Sequence, residues 1–318
     1  MDRAKEEKVQ TEKERLIRSA MEECGLGADA AAQAVLALAE TGLLEDMEAF
    51  CRLEKGMTNR LFHFCCRGRE YLIRVPGEGS EKLLDRKQEA MVYRALAGKD
   101  ITDRYLYINP DSGIKITEYL SDAHTCNVED MEEVRRCIRH LCHFHQMRLD
   151  GEAEFDVYRK LSDYERECGH DITQSFPDYA QTKEDVLRLR GFIEAAPAEK
   201  CLCHVDPVAD NFLIGPEKIS LIDWEYASVA DPHMDIAMFC IYAEYDKAQV
   251  DRVIGFYFQD GCPWEVRRKI YCYIAVCGLL WTVWCEIKKD SGVHFDAYEK
   301  IQYRYAKDYY GYAAEMRE

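Results

Sequence analysis

The sequence lacks a surplus of positive charge. Its 318 residues carry 42 Lys and Arg against 59 Asp and Glu, a formal net charge of −17. Such a field repels phosphate backbones and anionic lipid surfaces, so neither nucleic acid nor membrane is expected as the primary partner, whereas a cationic small molecule suits it. No uninterrupted apolar run approaches the roughly 20 residues of a membrane helix. The opening stretch MDRAKEEKVQ is charged throughout, unlike a secretory signal. Internal repeats and low-complexity tracts are absent. The 15 cysteines form no disulfide framework: they are odd in number and scattered, and Cys65-Cys66 and Cys201-Leu202-Cys203 lack zinc-knuckle spacing. Reduced, mostly buried thiols in a cytoplasmic protein are expected.

What remains is a globular composition, 47% hydrophobic and 32% charged, in a chain long enough for two lobes. Residues 1–47 are expected to be a helical extension. Ala4 to Cys24 is rich in Lys and Glu, Ala28 to Leu44 carries apolar residues at helical spacing, and Gly25 and Gly27 separate them. Packing on the main body is the plain expectation for this pair, and a dimerising arm is the alternative. Residues 48–120 are expected to form a small antiparallel sheet with one helix. Leu61 to Cys65 and Tyr71 to Val75 are short β-rich runs joined by Arg67-Gly68-Arg69, Ser80 to Ala97 has a helical stripe, and a second hairpin spans Tyr105 to Glu118. Residues 121–318 are mainly helical, interrupted by the β-rich pair Leu213-Ile214 and Ile219 to Ile222.

The chemistry concentrates in His204-Val205-Asp206-Pro207-Val208-Ala209-Asp210-Asn211 and Leu221-Ile222-Asp223-Trp224-Glu225. An Asp, an Asn five positions on and a second Asp after a hydrophobic strand match the catalytic-loop and metal-ligand spacing of protein-kinase-like phosphotransferases. Phosphoryl transfer needs positioning and charge neutralisation more than covalent help. Asp206 can accept the substrate hydroxyl's proton. Asn211 and Asp223 offer hard oxygens that suit Mg²⁺. Singly, each of these would be an ordinary turn or cap residue. It is the spacing of all three around a hydrophobic hairpin that argues for catalysis.

The stretch HVDPVADNFLI followed by LIDWEYASVADPHMDIAMF resembles the paired signature of the choline and ethanolamine kinase family, especially the bacterial choline kinases. That family lies within the superfamily that includes the aminoglycoside phosphotransferases. The resemblance covers roughly residues 50 to 310. It implies an α+β, protein-kinase-like two-lobed fold, with a small antiparallel-sheet N-lobe, a mainly helical C-lobe, ATP and Mg²⁺ as cofactors and choline as the substrate.

Several positions follow from the resemblance. Gly56, Thr58 and Asn59 fall in the short nucleotide loop, whose backbone amides and small hydroxyl can approach phosphate; an ordinary hairpin turn would look the same. Arg74 stands where protein kinases place a strand lysine and would clamp phosphate, with Glu89 as its ion-pair partner. Glu118 and Tyr119 fall at the adenine hinge. His204 and Asp235 would brace the catalytic loop. Trp281 and Trp284 share a helix face and, with Tyr298, would cage a trimethylammonium group, although a core stripe is the plain alternative. Glu244, beside Tyr242 and Tyr245, would supply the acidic residue facing the cation, and Glu225 would join the substrate side.

The chain departs from the family at Val205, where Asn is usual, and at Val208, where some relatives are polar. His140, His143 and His145 are expected to support the core or the catalytic loop rather than bind metal. Ethanolamine kinase and aminoglycoside or other small-alcohol phosphotransferase remain as enzyme alternatives. A pseudokinase interaction module is the non-enzymatic one, disfavoured because Asp206, Asn211, Asp223 and Arg74 are all intact. A homodimer is compatible with the sequence.

Overall fold

The computed structural model describes residues 3–54, 59–76, 85–290 and 292–316. The chain divides into two compact units, one of residues 1–124 and 213–226, the other of residues 125–212 and 227–318. Residues 1–47 therefore belong to the same unit as the sheet, and residues 213–226 return to it.

The first unit is built on a five-stranded antiparallel sheet. Its strands are β1 (Met47–Leu53), β2 (Asn59–Cys66), β3 (Arg69–Pro76), β4 (Tyr105–Ile108) and β5 (Lys115–Glu118), in the order β1-β2-β3-β5-β4. Arg67 and Gly68 both adopt positive φ, 51° and 72°, which is the backbone a two-residue hairpin turn between β2 and β3 requires. Alternation then sorts the side chains. Phe62, Phe64, Tyr71, Ile73 and Val75 are buried on one face. Helices α1 (Arg3–Glu23) and α2 (Ala28–Glu40) share that core, through Ile17, Met21, Ala34 and Leu38. The opposite face carries Leu61, His63, Cys65, Leu72 and Arg74.

Helix α3 (Arg86–Leu96) begins at Asp85, whose side chain accepts from the Lys87 and Gln88 amides. Ser80 to Leu84, expected as its first turn, lie outside the described residues. The returning segment is anchored by Trp224, wholly buried, whose indole N–H is shared between Thr102 Oγ1 (3.0 Å) and the Leu221 carbonyl (2.9 Å). The Leu221 amide donates to the Ile101 carbonyl at 2.8 Å.

The second unit is mainly helical. Its longest helix, Trp264–Asp290, is long and apolar enough to cross a membrane by length and composition, but 83% of its most apolar window is buried within the protein. Core packing accounts for that apolarity. Helix Asp296–Glu315 lies against it at Gly278, where a Cβ would stand 2.7 Å from the Gln302 carbonyl oxygen. A short ribbon that the sequence pattern did not reveal pairs Cys201–Cys203 with Ser228–Ala230. Three-residue strands are too short to show a period.

Candidate active site

In the first unit, Glu89 is the centre of an ionic knot. It is 1% exposed, and both its oxygens accept from Arg74 at 2.6 Å. Lys115 Nζ donates to Glu89 at 3.2 Å and to the Tyr93 hydroxyl at 2.7 Å, and Arg86 donates to it at 3.1 Å. Burial alone would raise the Glu89 carboxyl, but Lys115, Arg74 and Arg86 together hold it well below the usual carboxylate range. The register explains the crowding: Arg74 and Lys115 face each other across β3 and β5. Like charges there need a shared carboxylate. Gly113, at φ +68°, lets its carbonyl accept from Arg74 at 3.0 Å; a Cβ would meet Pro76 and Arg86 side-chain atoms at 2.8 and 2.9 Å.

The Arg74–Glu89 pair expected from the sequence is present. Arg86 and Lys115 were missed, although an i,i+3 relation to Glu89 and a cross-strand relation to Arg74 are legible once β5 is in register. Asp223 Oδ1 stands 3.8 Å from Arg74 Nη1, its side chain 38% exposed and its backbone at φ +66°. Glu225, expected on the substrate side from the resemblance, is part of the knot. It accepts from Arg86 at 3.1 Å and its side chain is only 9% exposed. Burial, then Asp223, pushes its carboxyl up.

The amides of Glu118 and Tyr119 donate to the Arg104 and Glu70 carbonyls, both at 2.9 Å. The Glu118 carboxylate is paired with Arg104 at 2.9 Å. Gly56 and Thr58 lie outside the described residues, while Asn59 opens β2 opposite Pro76.

In the second unit the organising group is Asp235, fully buried. Its carboxylate accepts the His204 amide (2.7 Å), the Val205 amide (2.9 Å) and His145 Nε2 (3.0 Å), and His145 Nδ1 meets the Tyr257 hydroxyl at 2.9 Å. A carboxylate bound this way fixes the backbone entering Asp206. His145 thus supports the loop, while His143 is exposed on the same helix. The Asp206 carbonyl accepts from the Val208 amide at 2.9 Å and from Asn211 Nδ2 at 3.0 Å. With its nitrogen so committed, Asn211 presents Oδ1 as the end suited to a hard cation.

Trp281 and Trp284 stand edge to face with centroids 5.2 Å apart, both partly exposed. Tyr242 packs on Trp281 at 5.2 Å and Phe295 on Trp284 at 5.3 Å. Lys288 places its ammonium 5.2 Å from the centroid of the Trp284 ring, an intramolecular cation on that ring. Tyr298 is half-buried; burial pushes its hydroxyl up, with Cys285, Asp206 and Glu244 adding to the shift. Tyr298 therefore lies in the electrostatic neighbourhood of both Asp206 and Glu244. Glu244 is exposed. Tyr245 does not join this group: it is 3% exposed and its hydroxyl donates to the Val128 carbonyl at 2.5 Å, so it belongs to the core.

At the end of the helix that carries the tryptophans lies a second buried charge cluster that sequence reading missed. Glu286 and Glu299, 0% and 2% exposed, are bridged by Lys289 at 2.7 and 2.6 Å, and Glu286 also meets His170. Burial and the Glu286 contact push the Glu299 carboxyl up to about 7. Against burial, hydrogen bonds from Glu299, Lys289 and His170 hold Glu286 at about 2. No local motif marks residues brought together by three separate segments.

The model of the choline/ethanolamine kinase family matches residues 50–254, spanning the knot, the catalytic loop and Asp235. The chain belongs to the choline/ethanolamine kinase family. Protein LicA of Haemophilus influenzae is 23% identical over 260 residues, 76% of this chain and 94% of LicA. The choline kinase LicA from Streptococcus pneumoniae superposes with a TM-score of 0.74 at 23% identity, over 87% of this chain and 98% of that one. An aminoglycoside phosphotransferase in complex with AMP-PNP and hygromycin B superposes with a TM-score of 0.63 at 17% identity, over 88% and 99% of the two chains. The family assignment makes the protein a choline kinase-like phosphotransferase with a kinase-like fold of small antiparallel sheet and helical C-terminal part.

Proposed function

We propose that this protein is a cytoplasmic choline kinase, transferring the γ-phosphoryl group of ATP to the hydroxyl of choline to give phosphocholine and ADP. The observation that carries the choice of choline is the partly exposed pair Trp281 and Trp284, with Tyr298 in the electrostatic reach of Asp206. A quaternary ammonium donates no ordinary hydrogen bond and is held by aromatic faces, each worth roughly 0.5–2 kcal/mol.

The residues take the following roles. Asp206 accepts a hydrogen bond from the choline hydroxyl and receives its proton as the O–P bond forms. Arg74, oriented by Glu89, meets phosphate oxygens through a guanidinium whose geometry is already fixed. Asn211 Oδ1 and the Asp223 carboxylate each offer a hard oxygen to Mg²⁺, and these donors fit that ion. Bound Mg²⁺ supplies neutralisation of the charge on the triphosphate. Glu244, exposed and within the electrostatic reach of Tyr298, adds negative potential for a cationic substrate.

An exposed carboxylate would equally suit a primary ammonium, so ethanolamine is the competitor. The test compares ADP release with choline and with ethanolamine in the wild type and in Trp284→Ala. Loss of one aromatic face should raise KM for choline roughly 3- to 30-fold and leave ethanolamine nearly unchanged. Equal losses on the two substrates would remove the aromatic cage, and no turnover with either would remove the reading itself.

A further inference from the structure

Among the described residues, three groups of His, Cys and acidic side chains hold their ligand atoms within 4.8 Å of one another: His63–Cys65–Glu70, His145–Cys203–Asp235 and Cys168–His170–Asp290. Their surroundings separate them. In the second group the Asp235 oxygens are taken by two backbone amides and His145, and the Cys203 thiol contacts the Cys201 and Ala230 carbonyls in the core. In the third, both ring nitrogens of His170 face carboxylates, those of Glu286 and Asp290, which raise its pKa and favour the cation. An imidazolium has no lone pair for a metal.

The first group differs from both: only one ring nitrogen of His63 meets a carboxylate, that of Glu70, and the other meets the Cys51 thiol. His63 and Cys65 alternate on β2, and the register sets Glu70 of β3 directly opposite Cys65. All three are partly exposed. His63 Nε2 and Glu70 Oε2 are 3.3 Å apart, longer than a charge-assisted hydrogen bond, usually about 2.7–2.9 Å. It is the edge length of a tetrahedron with metal–ligand bonds of about 2.0–2.1 Å. The other ring nitrogen is also provided for. Cys51 Sγ lies 3.9 Å from His63 Nδ1. It arrives there through a β-bulge between Glu48 and Cys51, with Ala49 at φ +50°, which resets β1 so that Cys51 lands opposite His63.

We propose that His63 Nε2, the Cys65 thiolate and the Glu70 carboxylate form a binding site for a borderline-soft divalent ion of the Zn²⁺ class, with its fourth position open to solvent. The mixed N, S and O donors favour Zn²⁺ over Mg²⁺, which prefers oxygen alone. Cys51 acts on the far side of the ring, orienting His63 rather than binding the ion. An ion here ties β2 to β3 on the face that carries Arg74.

The test uses full-length protein, stripped of metal under a non-thiol reductant and titrated with Co²⁺, then Zn²⁺. The expected result is one equivalent of Co²⁺ with a thiolate-to-metal charge-transfer band, displaced by Zn²⁺, and a Tm raised by Zn²⁺. Cys65→Ser should abolish the band and Glu70→Gln should weaken binding at least 10-fold. Cys51→Ala should weaken it roughly 10- to 100-fold with the band retained. Cys168→Ser should change nothing. No stoichiometric Co²⁺, a band that survives Cys65→Ser in folded protein, or a band lost in Cys168→Ser would each overturn the site. None of these readouts depends on kinase turnover, so the metal site and the proposed reaction stand or fall separately.

Discussion

Glu89 and Asp235 are both buried carboxylates that hold a functional loop or strand in place, and they do it in opposite ways. Glu89 gathers three side-chain cations, Arg74, Arg86 and Lys115. Asp235 gathers two backbone amides and one imidazole. The first arrangement sets charge: it keeps a guanidinium present and oriented while Asp223 and Glu225 balance the remaining positive charge. The second sets backbone path, fixing the two residues that lead into Asp206. Removing a charge partner strands cations, whereas removing a backbone acceptor strands neutral N–H groups, and the penalties differ accordingly.

The largest effect should come from Glu89→Gln, which keeps the shape and removes the charge. Three buried cations would face only Asp223 and Glu225, at a cost of about 3–5 kcal/mol. Asp235→Asn should cost less, about 1–3 kcal/mol, because its remaining oxygen still accepts while its NH₂ opposes one amide. Urea unfolding with an unchanged m-value would measure both. If Asp235→Asn proved as costly as Glu89→Gln, the distinction between charge-setting and path-setting carboxylates would collapse.

This contrast also marks how far the sequence could be read. Arg74, Glu89, Asp206, Asn211 and Asp235 were legible because the catalytic spacing is local and the rest follows from the family resemblance. Four of the five strands and their hairpins were legible from alternation and turn residues, whereas β1, broken by its bulge, was not. Arg86, Lys115, His170, Glu286 and Glu299 were not, because their partners lie on other elements and only register or tertiary packing joins them. Tyr245 was assigned to the wrong environment for a related reason: one residue of phase decides whether a side chain faces the core or the site. The same limit hid the His63–Cys65–Glu70 group, whose members fit no linear zinc motif.

A smaller effect, on the order of 1–2 kcal/mol, tests the buried pair Glu286 and Glu299. The Glu299 carboxyl titrates at about 7 in the folded protein against an ordinary 4.5, so the folded state binds the extra proton between those values. The stabilisation is therefore present below about 4.5 and is lost as pH rises through about 7. His170, whose pKa is raised by Glu286 and Asp290, loses its contribution in the same direction at higher pH. Glu299→Gln should flatten the fall in Tm between pH 5 and pH 7. An unchanged slope would assign that pH dependence to other groups.

The smallest effect concerns strain at the site's edge. Val205 is a buried, β-branched residue at φ +69°, a backbone region that such side chains strongly disfavour. Its amide is held by Asp235, so the strain is imposed by the carboxylate that shapes the catalytic loop. Asn tolerates this conformation far better than Val. Released strain, on the order of 1–2 kcal/mol, should then offset most of the cost of burying a polar amide. Val205→Asn is expected to change stability by less than about 1 kcal/mol, whereas Val134→Asn, in the buried face of an unstrained helix, should cost several times more. Equal losses at the two valines would mean that Asp235 holds Val205 without stored strain, and that the loop path is intrinsic to residues 204–206 rather than enforced on them.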